Sequence, residues 1–121
     1  MNKINYAPES SLVFINDRMG GDPPEQLDDG LVHYNRQCVS VGCYPEIDGE
    51  TTFILGKSTE MGRESVVPVF DGTIETPTRR LVICTVLDTI LLEAEVPDQS
   101  TRVRVWANHL QWPTEVIVGW G

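Results

Sequence analysis

The sequence predicts an all-β protein, a two-sheet antiparallel β-sandwich of about eight strands in a single domain spanning 1–121. Three observations carry this expectation. Residues 81–87 (LVICTVL) are apolar at almost every position and rich in β-branched side chains, as in a strand covered on both faces. Residues 101–108 (TRVRVWAN) alternate, with Val103, Val105 and Ala107 on one side and Arg102, Arg104 and Trp106 on the other. Turn-forming residues punctuate the chain about every 8 to 12 positions.

Taken in order, Leu12-Val13-Phe14-Ile15 reads as the first strand. Residues 16–30 (NDRMGGDPPEQLDDG) form a long loop, and Pro23 suits the start of a helical turn. Loops of this length in a small domain are mobile or functional segments. Residues 31–36 are ambiguous, and 37–44 alternate, with Val39, Val41 and Cys43 on one face. Asp48-Gly49 is a hairpin signal that returns the chain into a strand over 51–56. Residues 57–65 are polar and expected at the surface. Residues 66–70 (VVPVF) read as a strand, and Pro68 places it at an edge or bulge. Asp71-Gly72 is a second hairpin signal, leading into 73–76. A break at Asp88-Thr89 separates 81–87 from a strand over 90–96. Residues 97–100 (PDQS) turn the chain into 101–108, and 115–120 form the closing strand.

The chain has 121 residues and a formal net charge of −9. An acidic surface repels phosphate backbones and anionic lipid, which argues against nucleic acid or membrane as a direct partner and favours a basic protein partner. Solubility alone is the plainer reading of the same charge. No apolar run approaches the ~18 residues of a membrane span, and 1–8 lack a signal-peptide pattern. The three cysteines, Cys38, Cys43 and Cys84, have no framework spacing, so free thiols and a reducing cytoplasmic setting are expected.

Candidate chemistry is sparse, and no metal or other cofactor is implied. The two histidines, His33 and His109, lie in no metal-ligand spacing. Cys38 near His33 is the one local hint of a nucleophile, and a structural role for it is the stronger reading. Glu93 and Glu95 share one strand face, as a paired acid and base for glycoside hydrolysis could. Acidic residues cluster twice: Asp22, Glu25, Asp28 and Asp29 in the long loop, and Glu46, Asp48 and Glu50 around a turn. Each group fits either a partner-binding surface or a calcium loop, and neither has the EF-hand register. Trp106 beside Arg102 and Arg104 has the composition of an interaction hot spot, set against packing beneath a loop.

The layout resembles the competence protein J family, small inhibitors of a bacterial DNA-entry nuclease. The matching features are Val67-Pro68-Val69-Phe70, the Gly turn and Ile74, and the apolar strand after them. Val96-Pro97 and the strand ending Val105-Trp106 follow. The N-terminal strand, the Pro-containing acidic loop and the Val39/Val41 strand fall in the same order. The resemblance implies a compact β-sandwich that acts by binding a nuclease, without enzymatic activity. Immunity proteins against nuclease toxins work by the same logic, since a nuclease cleft must be basic to hold phosphate. The alternative is a small-molecule or calcium-dependent binding module with its site in the sandwich loops.

Overall fold

The computed structural model describes residues 1–26 and 28–121. Ten strands follow one another: β1 (Asn2–Tyr6), β2 (Leu12–Asp17), β3 (Val32–Tyr34), β4 (Cys38–Gly42), β5 (Thr51–Lys57), β6 (Phe70–Glu75), β7 (Arg80–Thr85), β8 (Ile90–Glu95), β9 (Ser100–Ala107) and β10 (Glu115–Trp120). They form two five-stranded sheets, β1-β5-β10-β9-β6 and β3-β4-β2-β7-β8. All-β and two-sheeted, the architecture is the one expected. It has more strands than expected, and one pair, β5 with β10, is parallel.

The inner faces make the core. Val13 and Ile15 of β2, Val39 and Val41 of β4, and Leu81 and Ile83 of β7 face Phe53, Leu55, Val103, Val105, Val116 and Val118 of the other sheet. All twelve are fully buried. The period-2 pattern of 101–108 arises here, because each alternate side chain enters the core, whereas β7 is buried on both faces, as its continuous apolar run predicts.

Four connections cross between the sheets and fix two ends. Residues 7–11 and 43–50 cross at one end, called lower here, while 76–79 and 96–99 cross at the upper end. The β7–β8 turn (86–89) and the β9–β10 loop (108–114) also lie at the lower end. Two long segments run from the upper to the lower end: 18–31 in the second sheet and 58–69 in the first. The start of 18–31 is tied down by Asp17, a buried carboxylate. It accepts hydrogen bonds from the Met19 amide at 3.0 Å, the Thr78 amide at 3.0 Å and the Thr78 hydroxyl at 2.8 Å.

Several local expectations are corrected. Asp48-Gly49 does not make a hairpin: both edges of β4 are already occupied, by β2 and β3, so the chain must leave for the other sheet. Asp71-Gly72 lies inside β6, which starts at Phe70 and runs straight to Glu75. Gly72 serves close packing there, since a Cβ would sit 2.7 Å from Cζ of the Phe70 ring. The run before it, 66–69, is not a strand. Pro68 has no N–H, and Val69 donates a single bond, to the Val105 carbonyl at 2.8 Å. No helical turn forms over 23–26, and Leu27, within the same expected turn, lies outside the described residues. Ser58, in a stretch expected at the surface, is buried in a short 3₁₀ turn, Ser58–Glu60. β1 was not expected: only Ile4 and Tyr6 pack on the core, too little to mark a strand in sequence.

The three cysteines are free and buried. Asn16 lies between two of them, its amide N–H donating to Cys38 Sγ at 4.0 Å and its Oδ1 accepting from Cys84 Sγ at 3.8 Å. Burial pushes the thiol of Cys38 up to about 12 and those of Cys43 and Cys84 up to about 11. Thiol titration at pH 8 should therefore find almost no reaction in the native protein and three groups in unreduced, denatured protein. One group after denaturation would mean a disulfide. Ile83→Ala, which removes core methylenes, should cost roughly 2–5 kcal/mol in urea unfolding; a loss under about 1 kcal/mol would mean that β7 is not central.

Candidate partner-binding surface

The seven carboxylates singled out in the sequence are all exposed, and the fold separates them. Asp22 is held near the upper end: its amide donates to Gln37 Oε1 at 3.0 Å, and its carbonyl accepts from Asn35 Nδ2 at 2.9 Å. Glu25 lies further along the same segment. Asp28 and Asp29 lie just before the residues that lead into β3 at the lower end. Asp28 Oδ1 accepts from the Gly30 amide at 2.7 Å and meets His33 Nε2 at 2.9 Å. The Gly30 bond, then the His33 bond, hold the Asp28 carboxyl below the usual aspartate range. Glu46, Asp48 and Glu50 ride the crossing 43–50, anchored where the Glu46 amide donates to Ser11 Oγ at 3.2 Å. Among the described residues their carboxylates enter no salt bridge.

The lower end also collects Glu9, Asp88 and Glu115. Of the nine Lys and Arg residues, one sits there, Arg63, at 3.7 Å from Glu115. Arg18, Arg36, Lys57, Arg79 and Arg80 belong to the upper end. Lys3, Arg102 and Arg104 are on the outer face of the first sheet. The net charge is thus concentrated at one end, a feature that sequence order hides and topology reveals.

Trp106 occupies the predicted strand face, but it is not an exposed anchor. It is 5 % exposed, and its Nε1–H donates to the Val66 carbonyl at 2.9 Å. The 58–69 segment crosses over the ring, and the Arg104 guanidinium lies 5.9 Å from its centroid. The exposed tryptophan is Trp112, in 108–114, stacked with His109 at 6.4 Å between centroids. Trp112 lies between the strands expected over 101–108 and 115–120, and no role was expected of it. The signal available was a large apolar side chain in a loop, beside Leu110.

The enzymatic readings lose their geometry. Glu93 meets Arg80 Nε at 2.6 Å and Arg18 Nη1 at 2.9 Å, and these partners, Arg80 first, hold its carboxyl below the usual range. A general acid for glycoside hydrolysis needs the opposite shift. Cys38 is buried against Asn16, and His33 faces Asp28 instead, so the two make no nucleophile–base pair. Among the described residues, no three His, Cys, Asp or Glu side chains come together as a metal site.

These features define a two-sheet β-sandwich with a polarised charge distribution. No family model matches the sequence, and no curated protein does. Among solved structures, the fold is similar to that of ComJ, inhibitor of the DNA degrading activity of NucA, from Bacillus subtilis. The superposition has a TM-score of 0.66 and covers 99% of this chain and 94% of that one, at 8% sequence identity. At that identity the likeness is one of fold.

The two arginines at Glu93 carry a direct expectation. In an NMR titration its carboxyl should protonate below the 4.5 ordinary for glutamate. With a depressed folded value, its stabilising contribution is present above the unfolded value and is lost as pH falls through the folded one. A midpoint above 4.5 would restore Glu93 as a proton donor.

Proposed function

We propose that the protein is a non-enzymatic, acidic inhibitor of the immunity type, which binds a basic nuclease and blocks it. The observation that carries this reading is the concentration of unpaired carboxylates at the lower end. Glu46, Asp48 and Glu50, with Asp88 on a neighbouring connection, present negative charge with Arg63 as the one basic side chain there. A nuclease cleft is basic because it must hold phosphate. An end studded with carboxylates offers the same charge on a rigid frame, so it is steered to that cleft and competes with DNA. The likeness in fold to a protein described as a nuclease inhibitor supports the assignment. The buried, unreactive thiols suit a reducing cytoplasm, where we place the protein.

The test is DNA cleavage by nucleases of the same host, each assayed with and without the protein. Micromolar protein should inhibit. The association rate should fall about tenfold or more as salt rises from low to physiological, where screening cuts the reach of charge to about 8 Å. Replacing Glu46, Asp48 and Glu50 by their amides should lower that rate further while thermal stability is kept. Asp28→Asn with Asp29→Asn should act in the same direction, more weakly, since Asp28 already shares its charge with His33. Inhibition indifferent to salt and to these changes would reject the electrostatic mechanism.

A further inference from the structure

Beside the acidic end, the two sheets part at the seam between β3 and the lead-in to β6. An open groove of about 500 Å³ lies there, lined by Leu31, Val32, Val67, Pro68, Val69 and Leu110. Its floor is continuous with the interior, because Leu31, Val32 and Val69 pack against the core. Its walls stand in water: Val67 is 88 % exposed and Leu110 79 %. Trp112 and Ile47, 52 % and 91 % exposed, occur on the two connections of this same end. Single exposed apolar residues need no explanation, but Val67 and Leu110 together on a formed groove do.

The surroundings of the groove select its occupant. Asp28 and Asp29 precede Leu31, Glu64 precedes Val66, and Glu46, Asp48 and Glu50 lie across the end. This is an apolar centre with a mainly anionic surround in which Arg63, 3.7 Å from Glu115, is the one Lys or Arg, the layout of a protein interface with anionic edges. A second copy would bring like-charged rims together, and anionic lipid would be repelled. A basic protein meets both demands.

We propose that this groove seats an apolar side chain of the nuclease, flanked on the nuclease by Lys or Arg that meet the carboxylate rim. The proposal rests on the inhibitor reading and divides the work of the surface: carboxylates speed encounter, and the groove holds the complex. The two contributions separate in kinetics, because rim charges act mainly on association and desolvated central contacts on dissociation.

The experiment measures association and dissociation rates for nucleases of the same host with the wild-type protein, Val67→Asn, Leu110→Asn and the double variant. None of these changes alters charge, and both residues are exposed enough for the fold to survive, which thermal unfolding checks. The double variant should dissociate about thirtyfold faster or more, with an unchanged association rate. Met19→Asn, at an exposed residue of the upper end, should change neither rate. If the wild type binds and the groove variants dissociate like it, the groove proposal is overturned and the inhibitor reading stands. If the wild type does not bind, the inhibitor reading fails and this proposal falls with it. If sedimentation shows a dimer that Val67→Asn dissolves, the occupant is a second copy, and the proposal is overturned.

Discussion

Everything in this molecule is subordinate to burying two apolar sheet faces against each other. Twelve side chains from six central strands are sealed between the sheets, so β-branched and aliphatic residues claim alternate positions through most of the chain. At about 25 cal/mol per Å² of apolar surface removed from water, such a layer supplies the dominant favourable contribution to folding. The polar residues are displaced to the outer faces and to the connections. Because four connections must pass between sheets, they fall at the two ends, and the ends become the places where the sequence is free to carry charge.

The ends use that freedom differently. Near the upper end, charge is matched and tied down: Glu93 lies between Arg18 and Arg80, and Asp17 is enclosed by Thr78 and Met19. At the lower end Glu46, Asp48, Glu50 and Asp88 stand without salt-bridge partners among the described residues, a distribution that slightly destabilises the compact state through self-repulsion. A surface that only had to be soluble would scatter its charge. One that must meet a basic partner gathers it, and the apolar groove beside it gives such a partner something to hold. Part of the outer face of the first sheet is covered by 58–69, which takes Trp106 out of solvent.

The sequence disclosed most strands because patterning is a local signal: β4, β8 and β9 alternate, and β2 and β7 are short runs of apolar residues. It did not disclose their partners. Asp48-Gly49 looks like a hairpin from inside its own window; only the occupancy of both β4 edges explains why it becomes a sheet-to-sheet crossing. Gly72 could not be told from a turn glycine without the Phe70 ring above it. β1 escaped because a half-polar edge strand borrows its stability from its neighbour β5. The candidate surface was legible to the same degree. Exposure of Asp22, Glu25, Asp28, Asp29, Glu46, Asp48 and Glu50 could be read from their setting, but which of them share an end follows from topology. For Trp106 the choice between an exposed hot spot and packing beneath a loop is decided by a cover that comes from 40 residues away.

The insertion of β10 between β5 and β9 has a consequence for how the chain reaches this structure. The second sheet is built entirely from residues up to Glu95 and can pair as soon as they are made. The first cannot: until β10 arrives, β5 and β9 have no bridge, and β1 with β5 is separated from β9 with β6. Sequence-distant pairing of this kind closes large loops before it is rewarded, so folding is slow for a chain of this size. On the ribosome, the half-built sandwich would expose the apolar inner face of the second sheet through synthesis. Strand β10 then acts as a latch that joins the two halves of the first sheet in one late step.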